Sequence, residues 1–167
     1  MIEISKFDGL SPYFLQKKFD CENQIINSFV HKSLTPQVKK GLCTAYVLID
    51  SSHQDRFVGF YTIVQHAINV SLINSLNLGS LPSTIPCSRV VMLGVDKHYK
   101  NKKLGQMLLK HALSLTKTVA SQIGSYGLYL DADKSAIDFY KKYGFSLLEN
   151  TMPSGAVSMF IPVNKIY

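Results

Sequence analysis

The feature that most constrains this chain is a short apolar run that passes through a basic turn into a long amphipathic segment. The run RVVMLGVD, residues 89–96, has the length and the β-branched content of a buried strand. After the turn, apolar residues recur every three or four positions, at Leu104, Leu108, Ala112, Leu115 and Val119. This spacing predicts a helix with one buried face, and Gly124 is its natural end. A strand followed directly by a helix predicts a mixed α/β domain.

The turn between the run and the helix has the chemistry of an anion site. The first N–H groups of a helix have no acceptor within the helix, and the helix dipole adds partial positive charge there. Gly105 has no side chain to keep a phosphate away from the backbone. Lysines surround the turn, at Lys100, Lys102 and Lys103, with Lys97 and Lys110 on either side. The residues alone leave two interpretations open, a phosphate-binding loop and a solvated helix start.

Periodicity predicts the other elements. The segment 12–34 is predicted to be helical with a break near Asp20, whose side chain would cap a second helix. The residues between 69 and 88 are rich in Gly, Ser, Asn and Pro, which predicts an irregular excursion with room for a short strand. The remaining predictions are strands at 1–5, 43–51, 56–68, 126–132, 145–150 and 158–163, with a hairpin joining the second and third, and a helix at 134–143 ended by Gly144.

Composition narrows the class of protein. The 167 residues carry 18 Lys and Arg against 11 Asp and Glu, a formal charge of +7 that is typical of proteins with anionic partners but also of ordinary basic proteins. No apolar run approaches the roughly 20 residues that span a bilayer, and the first residues lack the pattern of a signal peptide. The three cysteines form no CxxC pair, so neither a metal site nor a disulfide framework is expected. We expect a reduced, cytoplasmic protein without a membrane anchor.

Two segments together resemble the GNAT superfamily of N-acetyltransferases. Leu93, Gly94 and Val95 match the end of its L-x-V strand, and residues 100–105 fall on its six loop positions. Lys100 stands where the family has Gln or Arg, and Lys103 stands where it has its first glycine. The resemblance implies one α/β domain over residues 1–167. It would have a central mixed, mostly antiparallel sheet flanked by helices, and a splayed strand that forms an acetyl-CoA cleft.

The second segment matches the family's closing pattern A-x-x-F-Y-x-x-x-G-F, at Ala136, Phe139, Tyr140, Gly144 and Phe145. The resemblance implies that Tyr140 donates a proton to the leaving thiolate of coenzyme A. The residue pattern alone favours a packing role for Tyr140 and a core position for Phe139. The cofactor-binding residues implied by the resemblance are Leu93, Gly94, Val95, Lys100, Asn101, Lys102, Lys103, Leu104, Gly105, Gln106, Asp133 and Phe139.

The acceptor amine must be neutral to react. Many relatives deprotonate it with a Glu on the strand before the loop, and the only carboxylate of RVVMLGVD is Asp96 at its end. An α-amine, with a pKa of about 8, is partly neutral already, whereas a lysine amine at about 10.4 would need a strong base. The missing base therefore favours an α-amino acceptor. His66 or His98, acting through water, is the alternative base.

The pattern is closest to the GNAT toxins of toxin–antitoxin pairs, in segments such as Val58–Tyr61 and Leu93–Asp96. That resemblance implies acetylation of the α-amine of aminoacyl-tRNA, arrest of translation, silencing by a small antitoxin protein, and compatibility with a homodimer. It implies no metal. Two alternatives stay open: acetylation of a small-molecule amine or a peptide N-terminus, and a non-catalytic binding module that keeps the fold.

Overall fold

Seven strands form one sheet in the computed structural model, which describes residues 1–151, 153 and 155–167. The strands are β1 (Ile2–Phe7), β2 (Thr44–Asp50), β3 (Arg56–Asn69), β4 (Thr84–Val95), β5 (Gly127–Ala132), β6 (Ser146–Thr151) and β7 (Val157–Pro162). Their order in the sheet is β1-β2-β3-β4-β5-β7-β6. β4 and β5 pair in parallel, whereas β1–β2, β2–β3, β5–β7 and β6–β7 are antiparallel. The predicted mixed and mostly antiparallel sheet is confirmed.

The helices are short apart from the one that follows the basic turn. They are α1 (Gln24–Ser28), α2 (Leu34–Lys39), α3 (Leu104–Ile123) and α4 (Ile137–Lys141). A π-helical turn joins α1 to α2, and 3-10 turns precede several elements. Gly124, directly after α3, has a φ of +59°, the left-handed conformation expected of a helix-ending glycine. No helix in the described part of the chain is both long and apolar enough to cross a bilayer.

The chain divides into two compact units. The first comprises Met1–Val64 and Val91–His111, and the second comprises Gln65–Val90 and Ala112–Tyr167. Phenylalanines dominate the core of the first unit, where the Phe19 ring meets Phe57 and Phe60 edge-on at 5.3 and 5.7 Å. The core of the second unit contains Ile68, Ile73, Ile85, Cys87, Tyr129, Leu148 and Phe160. Each unit therefore has its own buried apolar cluster.

The predicted hairpin is present as β2 and β3. Their register runs from Thr44 opposite Ile63 to Asp50 opposite Arg56, with an irregularity between Leu48 and Ile49. The register places Asp50 at the end of β2 and Arg56 at the start of β3. Both side chains contribute to the candidate site.

The prediction for the N-terminal segment is wrong in two respects. Its first part is only a 3-10 turn, Gln16–Lys18, preceded by Leu15 in the left-handed conformation at φ +58°. Asn23, not Asp20, caps α1, and its side-chain oxygen accepts from the N–H groups of Ile25 and Ile26 at 3.0 and 3.1 Å. Asp20 cannot do so because its Oδ1 accepts from the backbone of Glu22 and from Asn27.

The predicted irregular excursion is shorter than expected. β3 extends to Asn69 and β4 begins at Thr84, so only the residues between them lie outside the sheet. The Asn69 side chain accepts from the N–H of Ser71 at 2.9 Å and starts a 3-10 turn, Val70–Leu76. The composition predicted the break in the sheet, but the polar residues at its edges join the flanking strands.

Candidate functional site

A buried aspartate fixes the path from β4 into the basic turn. Asp96 is 1% exposed, and its carboxylate accepts from the N–H groups of His98 at 2.9 Å and Asp20 at 3.2 Å. Its own N–H donates to the carbonyl of Val58 at 2.8 Å. Asp96 thereby caps a 3-10 turn, Lys97–Tyr99, that leads into the loop.

The basic loop, residues 100–105, contains two non-glycine residues in the left-handed conformation. Asn101 has a φ of +62° and Lys103 a φ of +58°. The N–H of Met107 donates to the carbonyl of Lys103 at 3.1 Å, which closes the first turn of α3. The N–H groups of Leu104, Gly105 and Gln106 therefore precede the first hydrogen bond within the helix. These N–H groups and the exposed lysines offer hydrogen-bond donors and positive charge of the kind found at phosphate sites.

Carboxylates already pair with two of the lysines. Lys100 forms a salt bridge with Glu22, and Lys97 Nζ lies 2.9 Å from Asp20 Oδ2. The hydrogen bond between Lys97 and Asp20 holds the pKa of Asp20 well below its usual range and raises the pKa of Lys97. Within the described residues Lys103 forms no ion pair, so its charge is available to a ligand.

Tyr99, the residue before the loop, is 6% exposed and is fixed by a second buried carboxylate. Its hydroxyl donates to Asp50 Oδ2 at 2.8 Å. Asp50 also accepts from the N–H of Ser52 at 3.1 Å and lies 2.7 Å from His53 Nδ1. The hydrogen bond from Tyr99 is the main reason that the pKa of Asp50 falls to about 2. No sequence signal marks this pair, because the two residues lie far apart in the chain.

Cations lie over the ring of Tyr99. The guanidinium carbon of Arg56 is 5.2 Å from the ring centroid and the Lys102 Nζ is 5.0 Å from it. The Arg56 Nη2 also lies 3.6 Å from Asp96 Oδ1. A continuous chain of contacts thus leads into the loop, from Asp96 through Arg56 and Tyr99 to Asp50.

The strand end predicted to bind the thioester lies in the same unit. Gly94 is buried, and a Cβ there would lie 3.1 Å from Ile26 Cγ2 and 3.2 Å from Cys21 Sγ. Close packing explains the glycine at this position, and Leu93 and Val95 on either side are half-buried. The structure therefore brings 93–95 and 100–106 together within the first unit.

Tyr140 lies on α4 in the second unit and is 9% exposed. Its ring meets Phe139 and Phe145 edge-on, at 5.1 and 5.7 Å. Burial, assisted by the charge of Asp133, raises the pKa of Tyr140 to about 12. Among the described residues, no group forms a hydrogen bond with its hydroxyl. Tyr140 is therefore a phenol that keeps its proton at neutral pH and has that proton free to donate.

Asp133 and Phe139 lie in the second unit with Tyr140. Asp133 is exposed and precedes a 3-10 turn, Lys134–Ala136, with its carbonyl rather than its side chain accepting from the N–H of Ala136. Phe139 is half-buried and contacts Tyr140 and Tyr143 with its ring. Phe139 thus packs among the aromatic side chains of α4 and the turn that follows it.

Gly144 shows why the closing pattern needs glycine. Its φ is +95°, and a Cβ would lie 3.0 Å from Ile161 Cδ1 on β7. The turn ends α4 with the N–H of Phe145 donating to the carbonyl of Tyr140 at 3.4 Å. This glycine lets the chain reverse directly after the tyrosine.

The two candidate histidines have different surroundings. The Nδ1 of His98 lies 2.7 Å from Asp96 Oδ1, so this ring belongs to the chain of contacts that leads into the loop. The ring of His66 lies 5.1 Å from that of Tyr129, and burial and the charge of Arg89 lower its pKa. Both effects favour the neutral imidazole, the form that a base needs. No group of His, Cys, Asp and Glu in the described chain has the arrangement of a metal site.

A polar cluster of the second unit was not anticipated from the sequence. Arg89 Nη2 lies 2.9 Å from Asp131 Oδ2, and Asp131 Oδ1 accepts from Tyr129 at 2.9 Å and from Ser158 at 2.8 Å. The side chains lie on paired strands, β4, β5 and β7, and alternate with apolar residues. Only the strand register brings them together, so spacing along the chain gives no signal for them.

Comparisons with known proteins agree on one family. Residues 41–147 match the family model described as an acetyltransferase (GNAT) domain. A probable toxin TacT from Sinorhizobium fredii is 27% identical over 158 residues, which cover 89% of this chain and 84% of that protein. A solved structure described as a bacterial toxin is 33% identical with a TM-score of 0.93, and the match covers 98% of this chain and 92% of that one.

The toxin AtaT has a similar fold. In its complex with acetyl-methionyl-tRNAfMet it matches with a TM-score of 0.86 and 23% identity, over 98% of this chain and 96% of that one. A tyrosine-to-phenylalanine mutant of AtaT, bound to the C-terminus of the antitoxin AtaR and to acetyl-CoA, matches with a TM-score of 0.79 and 22% identity, covering 98% and 94%.

Proposed function

Because the chain belongs to the GNAT acetyltransferase family, we propose that it transfers the acetyl group of acetyl-CoA to the α-amine of aminoacyl-tRNA. The observation that carries this proposal is the likeness to a bacterial toxin along nearly the whole chain. The chain is an acetyltransferase rather than a non-catalytic module that keeps the fold.

The residues of the first unit suit acetyl-CoA, which supplies an acetyl group activated as a thioester. The N–H groups of Leu104, Gly105 and Gln106 and the charge of Lys103 would bind its phosphates. Lys103 replaces the family glycine, but its backbone adopts the left-handed conformation that glycine favours and its side chain is exposed. Backbone N–H groups within Leu93–Val95 would polarise the thioester oxygen.

Tyr140 would supply the proton that the departing sulfur needs. The acceptor nitrogen bonds to the acetyl carbon, the carbon–sulfur bond breaks, and the sulfur takes the phenolic proton. The amine loses a proton in the same turnover, which restores the tyrosine through solvent. The raised pKa of Tyr140, about 12, ensures that the phenol starts each turnover protonated.

The contacts made by the carboxylate nearest the strand end bear on which amine can accept the acetyl group. Asp96, the one carboxylate of the strand end, already accepts from two backbone N–H groups and lies against Arg56, so its oxygens are engaged in holding the turn. An amine that is partly neutral without help suits this arrangement, and an α-amine on an ester is such a group. The formal charge of +7 favours an RNA carrier. AtaT, solved with an acetylated charged tRNA, supports the same choice.

A regulatory partner follows from the same relatives. AtaT is bound by the C-terminus of its antitoxin AtaR, and we infer that a small antitoxin protein silences this chain as well. A pull-down with the product of an adjacent small reading frame, followed by an acetylation assay, would test this partner.

The decisive experiment is cell-free translation with the purified protein, with and without acetyl-CoA. We expect arrest only when acetyl-CoA is present, together with labelled acetyl groups in the aminoacyl-tRNA fraction. Tyr140→Phe is the matched inactive variant and should leave translation running. Acetyl transfer to peptides or small amines with no arrest would instead support the alternative substrate class.

A further inference from the structure

We propose that Tyr99 and Asp50 are positioning residues that set the shape of the basic loop and so its affinity for acetyl-CoA. The inference rests on the proposed function, since it assumes that the loop binds the phosphates of acetyl-CoA. Neither residue would touch the ligand. Tyr99 directly precedes the loop, and Asp50 ends β2 on the other side of a buried hydrogen bond.

The loop needs such support because its backbone is strained. Asn101 and Lys103 both adopt the left-handed conformation, which costs conformational free energy for any residue with a Cβ. The cost is lower for Asn than for Lys. Strained residues persist only where the surrounding structure determines their conformation. The family pattern has glycine at the position of Lys103, and glycine adopts the left-handed conformation without strain. In this chain, contacts with neighbouring residues must stabilise that conformation instead.

Burial and hydrogen bonding hold the Tyr99 side chain in one position. Its side chain is almost fully buried and its hydroxyl donates to a carboxylate that has no freedom to move, because Ser52 and His53 bind the same group. The Lys102 Nζ also lies over its ring, 5.0 Å from the centroid. One tyrosine thus fixes the entry of the loop and one of the charges within it.

A simple packing role predicts something different. A buried tyrosine that only fills space would lower stability when altered and leave ligand affinity unchanged. A positioning residue changes the affinity for acetyl-CoA while the rate at saturation stays the same, because Tyr140 and the strand end are untouched. The two roles therefore separate in the ratio of KM to kcat.

The experiment compares Tyr99→Phe with Tyr129→Phe in the full chain, by calorimetric titration with acetyl-CoA and by steady-state kinetics. Tyr129 is the matched control because its hydroxyl also donates to a carboxylate, Asp131, at 2.9 Å. We expect Tyr99→Phe to weaken binding roughly 10-fold with kcat within a factor of two, as the loss of one hydrogen bond to a charged group predicts. Tyr129→Phe should lose similar thermal stability and bind acetyl-CoA as the wild type does.

Wild-type affinity in a folded Tyr99→Phe protein would overturn the inference, as would an equal loss in both variants. If Tyr99→Phe does not fold, Asp50→Asn replaces it, with the same split between KM and kcat expected at a smaller size. Exchange of the amide hydrogens of residues 101–106 should also be faster in Tyr99→Phe and in Asp50→Asn than in the wild type. Failure of the wild type to bind acetyl-CoA would reject the proposed function and this inference together, and is distinct from failure of the variants alone.

Discussion

Two properties of the hydroxyl of Tyr140 keep its proton available at neutral pH. It is buried enough for its pKa to rise to about 12, and no described residue competes for its proton. Its neighbours Phe139 and Phe145 hold the ring in place without offering a polar contact. At physiological pH such a phenol is protonated, so it has a hydrogen bond and a proton to offer when negative charge develops on the sulfur.

Replacing Tyr140 with Phe tests this role directly. We expect kcat to fall by roughly 10²- to 10⁴-fold, the usual contribution of a general acid, with the affinity for acetyl-CoA unchanged. Tyr143→Phe is the control, since it removes a phenol from the turn that follows α4. Stopped-flow release of coenzyme A measures the rate, and full activity in Tyr140→Phe would assign the proton transfer to another group.

The raised pKa of Tyr140 also predicts a pH profile. A general acid acts while protonated, so activity is lost as the pH rises through its pKa. With that pKa at about 12, the phenol stays protonated throughout the range from pH 7 to pH 10. We expect kcat, from initial rates at saturating substrates, to show no alkaline decline that depends on Tyr140 below pH 10. A decline near pH 10, absent in Tyr140→Phe, would contradict the burial of the proton donor.

At the scale of elements, hydrogen bonds to two buried carboxylates stabilise the junction of β4 with α3. Asp96 fixes the turn after β4 and Asp50 fixes the residue before the loop. The loop itself contributes strain at Asn101 and Lys103, so its conformation depends on contacts made by other elements. This arrangement explains how a lysine occupies a glycine position.

Substitutions at Lys103 measure that strain. Lys103→Gly and Lys103→Ala remove the same charge but differ in their tolerance of φ +58°. We expect the glycine variant to be more stable than the alanine variant by about 1 kcal/mol in urea denaturation. Equal stabilities would mean that the loop relaxes out of the left-handed conformation without cost.

Much of the fold follows from periodicity, and the exceptions share a cause. The β2–β3 hairpin and α3 were predictable because their signals are local: alternating β-branched residues in one, a three-to-four spacing in the other. The cap of α1 was not, because Asp20 and Asn23 are equally good capping residues by type. Only the structure shows that contacts with Glu22, Asn27 and Lys97 engage the carboxylate of Asp20 elsewhere. The Arg89–Asp131 pair depends on strand register, which a single sequence does not give. The Asp50–Tyr99 pair depends on how the turn before the loop packs against the end of β2, which is equally invisible in the sequence.

At the scale of the whole molecule, the excess of positive charge predicts how the proposed tRNA substrate would bind. Phosphate contacts release counterions, so affinity falls steeply with salt. For four lysine–phosphate contacts we expect the affinity for aminoacyl-tRNA to drop by about 10²-fold between 50 and 200 mM salt. Filter binding with deacylated tRNA, which cannot react, measures this slope. A flat response would favour a small, uncharged acceptor.

The salt bridge between Glu22 and Lys100 has a consequence for ligand choice. In the free protein the Glu22 carboxylate already pairs with Lys100 of the basic loop. A phosphate that binds Lys100 must therefore displace a carboxylate that belongs to the same chain. A single small anion gains little by this exchange, because an exposed pair of this kind is worth roughly 0–1 kcal/mol and the anion offers only its own charge in return. A ligand with several linked phosphates gains the helix N–H groups in the same event. Because the exposed pair is this weak, Glu22 shifts the balance at the loop only slightly, and it does so in favour of ligands with several linked phosphates.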